Sequence, residues 1–162
     1  MANYSVTNST FQSGTVQVAI NANSSQGWTV GIGGANASPR RGKIYDILVG
    51  TAGTPADNYV QWSVVEFTGN TTAAGTVSTP VKLDQADAAA TSLAVINSTA
   101  NGTITVNSEL WFVGINQRAS YRWVAAPGSE LVWPATSSAG LVLRAAGTAT
   151  VFPTGTVMFQ EQ

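Results

Sequence analysis

The feature that most limits how this chain can fold is side-chain parity. Large apolar residues recur at every second position over short runs, and small turn-forming residues separate the runs. Val16, Val18 and Ile20 alternate with Thr, Gln and Ala; Trp28, Val30 and Ile32 repeat the pattern over residues 27–32; and Val60, Trp62 and Val64 do so within residues 59–68. Successive side chains of a strand point to opposite faces, so each run defines one buried face. Val65 and Phe67 shift the period of the last run and predict a bulge. Residues 43–50 carry Ile44, Tyr45, Ile47, Leu48 and Val49 around Asp46, between two glycines. A run this short and this rich in β-branched residues reads as a buried strand rather than a helix. Residues 102–106, 109–115, 140–144 and 148–159 show further strand patterning. Many short strands spaced by turns predict an all-β fold, an antiparallel sandwich or a barrel.

Two segments depart from the pattern. Residues 1–14 are polar apart from Tyr4, Val6 and Phe11, which predicts an extended N-terminal arm that gains order by docking elsewhere. Residues 15–162 then form a single β-sandwich domain, a size that one core can serve. The run Leu83-Asp84-Gln85-Ala86-Asp87-Ala88-Ala89-Ala90 carries the one helical signal. Asp84 can cap free N–H groups, Asp87 suits the positive end of a helix, and alanines propagate it, so a short helix is expected near residues 84–91.

Composition excludes several classes of function. There is no His and no Cys, which removes imidazole chemistry, thiolate metal sites and disulfides. The net charge of -1, with seven Lys and Arg spread along the chain, does not make the basic surface that nucleic acid requires. No apolar run approaches the roughly twenty residues of a membrane span, and no apolar leader follows Met1, so a product made in the cytoplasm without export is expected. On that expectation the sequons at Asn8, Asn23, Asn70, Asn97 and Asn101 are chance occurrences in a chain rich in Asn, Ser and Thr. None of the eight carboxylates forms a pair whose spacing marks an acid and a base, and none makes a calcium loop, so no catalytic, cofactor or metal residue is assigned. Charged residues make up only 9% of the chain, against about a quarter in ordinary domains, which suits permanent packing against copies of itself or a partner.

The unusual residues concentrate between Asn116 and Pro134. Two arginines, two tryptophans, a tyrosine and a Pro-Gly corner predict a strand, a tight turn and a second strand. Arg118, Ser120, Arg122 and Val124 would share one face, and Tyr121 and Trp123 the other. Arg, Tyr and Trp are the residue types that anchor interfaces. Arg118, Arg122, Tyr121, Trp123 and Trp133 are therefore the candidate interface, joined by Tyr4 and Phe11 of the arm. The arginines either pair with carboxylates of their own chain, such as Glu109 or Glu130, or bind another subunit. Trp28 and Trp133, beside Gly and Pro, carry a rival expectation of an exposed sugar-stacking surface.

Four phrases resemble a family of small proteins of tailed bacteriophages: Thr54-Pro55-Ala56-Asp57-Asn58, Leu83-Asp84-Gln85-Ala86-Asp87-Ala88-Ala89, Asn116-Gln117-Arg118-Ala119-Ser120-Tyr121-Arg122-Trp123-Val124-Ala125-Ala126-Pro127-Gly128 and Leu131-Val132-Trp133-Pro134-Ala135-Thr136. Members look like the jelly-roll decoration, or cement, proteins on the outside of phage heads. The resemblance spans residues 43–161 and leaves residues 1–42 outside it. It implies a jelly-roll-like antiparallel β-sandwich, a homotrimer, and binding to the phage major capsid protein on the outer capsid surface of the virion. It implies neither catalysis nor a nucleic-acid or membrane partner. The alternative is a carbohydrate- or receptor-binding head of a tail or fibre protein.

Overall fold

A computed structural model describes residues 1–8, 29–34, 39–68, 75–98, 104–147 and 151–162. The described residues form twelve strands and no helix. In chain order these are β1 (Asn3–Thr7), β2 (Val30–Gly34), β3 (Gly42–Ala52), β4 (Tyr59–Thr68), β5 (Thr76–Ser78), β6 (Val81–Lys82), β7 (Leu93–Ile96), β8 (Ile104–Asn116), β9 (Tyr121–Val124), β10 (Leu131–Trp133), β11 (Ala139–Gly147) and β12 (Phe152–Glu161). They make two six-stranded sheets. The first has the order β10-β3-β12-β1-β6, with β9 also paired to β3, and the second the order β5-β7-β2-β11-β4-β8. All pairings are antiparallel. The chain is an all-β sandwich, as parity predicts.

Parity builds the core directly. Ile44, Ile47 and Val49 of β3 and Val157 and Phe159 of β12 face Val60, Trp62 and Val64 of β4 and Leu141 and Leu143 of β11, all of them buried. The bulge expected in β4 is not there: β4 keeps an unbroken register with β11, and its shift against β8 between Val64 and Val65 skips Leu110, so the extra residue lies in β8. Val65 and Phe67 continue the alternation of Tyr59 and Gln61 on the face opposite Trp62, where they form a second, smaller buried cluster with Val142. The two strand signals at 102–106 and 109–115 belong to one long strand, β8. The strand expected over 15–20 lies outside the described residues, as do Phe11 and Trp28.

Residues 3–7 correct the expectation of an arm. They form a strand between β12 and β6, with Tyr4 and Val6 each only 2% exposed. The alternation of Tyr4 and Val6 with Asn3, Ser5 and Thr7 is itself a strand pattern, and the long β12 on one edge and the short β6 on the other give it partners. Burial, with Glu161 nearby, raises the Tyr4 pKa, and its hydroxyl donates to the Ala88 carbonyl at 3.0 Å.

The helix expected near 84–91 is also corrected. Asp84 accepts from the Ala86 N–H at 2.9 Å, and the Asp87 N–H reaches only the Asp84 carbonyl, which makes a tight turn. Lys82 Nζ then donates to the carbonyls of Gln85 and Asp87, and the Glu161 carboxylate accepts from the N–H groups of Thr91 and Ser92 at 2.9 and 2.6 Å. The backbone groups that a helix would satisfy internally are bound to other partners, and a helix of two turns is marginal by itself.

Polar residues tie the two sheets together at one end. The Asn8 side chain donates to the Pro153 carbonyl at 2.7 Å and to Asn97 Oδ1 at 3.1 Å, and accepts from the Gly155 N–H at 2.8 Å. Asn97 returns a bond to the Asn8 carbonyl and holds a left-handed backbone, φ 52°, a conformation asparagine tolerates better than most residues.

At the other end Trp133 is wholly buried, edge-on to Phe159 at 5.5 Å, with its Nε1 donating to the Arg40 carbonyl at 3.1 Å. Its ring lies so close over Gly42 that a Cβ there would sit 2.1 Å from Trp133 Cζ2. Gly42→Ala should therefore cost roughly 1–3 kcal/mol, the range of overpacked cores. Trp133→Ala alone should cost roughly 3–5 kcal/mol. Urea denaturation of the double variant should show strong non-additivity, because the cavity removes the clash; additive costs would disprove the packing explanation.

Candidate functional site

The stretch expected as a hairpin is instead one interrupted edge strand. β9 pairs with Asp46–Val49 and β10 with Gly42–Ile44, both running antiparallel along the same side of β3. The two strands do not pair with each other. Between them residues 125–130 leave the sheet, anchored where the Ala125 N–H donates to the Tyr45 carbonyl at 2.9 Å. The tip is closed by the Ser129 N–H donating to the Ala126 carbonyl, with Pro127 and Gly128 at its centre and Gly128 at φ 84°. This is the arrangement of a type II turn, in which proline sets the first central residue and glycine accepts the positive φ of the second. The Pro-Gly signal was read correctly as a turn, but the residues on either side share β3 rather than one another.

The arginines separate in the structure. Arg118 lies in a tight turn before β9, where the Ala119 N–H donates to the Asn116 carbonyl and the Arg118 N–H to Asn116 Oδ1. Its guanidinium pairs with Asp57 at 3.1 Å, with both side chains well exposed, so this pair contributes little to stability. Arg122 points outward from β9 and grips Asp46 with two nitrogens, Nε lying 3.0 Å from Oδ1. The Asp46 side chain is only 5% exposed and the Arg122 side chain 61%. Side-chain hydrogen bonding to Asp46 raises the Arg122 pKa further. Both arginines thus pair within their own chain, but with Asp57 and Asp46. Glu109 pairs with Arg144 at 2.8 Å and Glu130 with Lys43 at 2.9 Å.

The aromatic residues also divide. Trp123 and Tyr121 pack on Trp111 of β8, with ring centroids 6.3 and 6.2 Å apart, and close the side of the sandwich where β8 of one sheet faces β9 of the other. Tyr121 stays 38% exposed and Val124 58%. Trp133 and Tyr4, expected at an interface, belong to the core; each is at an inward position of its strand, which Pro134 beside Trp133 does not alter. What remains exposed on this edge is Arg122, Tyr121, Val124 and the Pro-Gly tip.

The corner beside this edge is interlocked with a distant turn. The Gln117 N–H donates to the Asn58 carbonyl at 2.8 Å, Gln117 Oε1 accepts from the Ala56 N–H at 3.1 Å, and Thr51 Oγ1 donates to the Gln117 carbonyl. Gln117 is almost fully buried. With Arg118 on Asp57, residues 54–58 and 116–118 form one unit.

A second exposed surface escaped the sequence reading. Phe112 of β8 and Tyr59 of β4 are 58% and 51% exposed on the outer face of the second sheet. The signal was present: with Trp111, Val113 and Ile115 inward, Phe112 must point out, and with Val60 and Trp62 inward, so must Tyr59. Among the described residues no group of acidic side chains could hold a metal, and no helix is long and apolar enough to cross a membrane. A scan against protein-family models finds no match, and searches of curated proteins and of solved structures find none.

Two measurements check this site. Arg122→Met strands a buried carboxylate and should destabilise the fold, whereas removing both partners should cost less. A double-mutant cycle in urea giving no coupling would reassign the guanidinium to a partner. The bond from Lys43 is the main cause that lowers the Glu130 pKa. A carboxylate lowered on folding adds stability above its unfolded value and loses it as pH falls through the folded one. In Lys43→Met, carboxyl NMR should find the Glu130 midpoint higher, closer to that of an ordinary glutamate.

Proposed function

We propose that this chain is a head decoration, or cement, protein of a tailed bacteriophage. It is made in the host cytoplasm, assembles as a homotrimer, binds the outer capsid surface and bridges neighbouring major capsid proteins. The observation that carries this reading is the interlocked corner: two of the phrases that resemble the phage family, residues 54–58 and 116–128, meet through Gln117 and through the Arg118–Asp57 pair. Phrases some sixty positions apart in the chain thus make one structural unit, as residues of a shared fold do.

The strand order supports the jelly-roll form of the sandwich. Leaving aside the short strands β5, β6 and β7, the sheets read β1-β12-β3-β9/β10 and β2-β11-β4-β8. That is the strand order of two four-stranded sheets wound as a jelly roll, an architecture common to viral capsid and lectin domains. The mechanism is mechanical and non-catalytic. A rigid sandwich with few charges is cheap to desolvate, and several modest attachments on one trimer add through avidity to oppose the pressure of packaged DNA. The alternative, a carbohydrate- or receptor-binding head of a tail or fibre protein, loses one of its two supports, since Trp133 is core.

Sedimentation equilibrium should give a trimer at micromolar concentration. Heads assembled without the chain should take it up on their outer surface and then resist heat-induced DNA release. A monomer that fails to bind such heads would rule the reading out.

A further inference from the structure

We propose that the outer face of the second sheet, along the strip from Tyr59 to Phe112, binds a neutral oligosaccharide. The inference goes beyond the decoration role and does not rest on it. The ladder between β4 and β8 sets Tyr59 opposite Asn116, Gln61 opposite Gly114 and Ser63 opposite Phe112, all on the outward face. The two rings therefore stand four residues apart along the strands, roughly 14 Å between Cα positions. Between them Gly114 leaves the floor open, with no atom within 4 Å of where its Cβ would be. A shallow basin of about 530 Å³ spans this floor from Asp57 to Phe112. A smaller hollow of about 170 Å³ continues it past Phe112 to Arg144, sharing Gln61 and Phe112.

The chemistry of the strip selects the ligand. Exposed aromatic faces carry negative potential and receive the C–H-rich face of a sugar ring. Gln61, Asn58 and Asn116 offer amide donors and acceptors at the level where hydroxyls would lie. The charged groups along the strip are paired with each other, Asp57 with Arg118 and Glu109 with Arg144, so it presents no net charge to a phosphate or sulfate. A protein partner would call for a continuous apolar centre, whereas here Gly114 and Gln61 separate the rings. The length favours several linked sugars over one, and two rings held on paired strands lose little rotamer freedom on binding.

The full-length chain would be screened on a glycan array and titrated by NMR with the hexasaccharides of β-1,4-glucose, α-1,4-glucose and β-1,4-N-acetylglucosamine. The expected result is binding of a neutral glycan, with shifts centred on the amides of Gln61, Phe112 and Gly114. Tyr59→Ala and Phe112→Ala should each weaken it roughly tenfold or more, with thermal unfolding unchanged, while Val124→Ala, exposed on β9 of the first sheet, leaves it intact. No glycan bound on array or in titration would overturn the proposal, as would binding indifferent to both ring deletions. So would a Phe112→Ala variant that dissolves the oligomer without any effect of sugars, since the face would then be an interface between copies.

Discussion

The fold depends on apolar side chains meeting across the gap between two sheets, and on four long strands keeping their alternation, with one extra residue in β3 bringing Ile44 and Ile47 to the same face. β3 and β12 in one sheet and β4 and β11 in the other supply most of the large buried residues. A slip of one residue in any of them would exchange its core face for its solvent face. The chain has no disulfide and few ion pairs to prevent such a slip, so register is held by shape. Trp133 over Gly42 fixes β10 on β3, and extra residues at Tyr45 of β3 and Leu110 of β8 set where those two strands change phase.

Around that core, polar groups without charge do what ion pairs do elsewhere. The Asn8 and Asn97 amides join the end of β1 to the end of β7, across the two sheets, through a nearly complete set of hydrogen bonds. Gln117 ties the corner between β8 and β9 to the turn at residues 54–58 through its Oε1 and its backbone N–H. Such bonds act at short range and are not screened by salt as surface charges are. The arrangement suits a chain of which only 9% is charged.

The sandwich and most of its long strands were legible because they follow from alternation alone. What alternation could not convey was partnership. The Asn116 to Pro134 stretch reads as two strands and a turn, and it is that; but whether neighbouring strands pair with each other or with a third depends on β3, some seventy to ninety residues upstream. The alanine run after Asp84 has the local preferences of a helix and loses to the neighbouring Lys82 and to Glu161 and Tyr4, whose approach no local window contains. Tyr4 and Val6 read as part of a docking arm because a five-residue strand is a weak signal without the neighbours that complete it. The outward position of Tyr59 follows from parity with Val60, Trp62 and Val64 inward, and that of Phe112 follows once Trp111, Val113 and Ile115 are placed inward.

The break between β9 and β10 bears on how copies of this chain avoid one another. A strand at the edge of a sheet is a template on which a second chain can add its own ladder, and long flat edges invite fibres. Here the edge of the first sheet offers four residues, then a Pro-Gly excursion that stands off the sheet, then three more. No continuous template survives, and the opposite edge ends in the two-residue β6. Copies of this chain can therefore meet through side chains at this sheet while its two backbone edges stay poor templates.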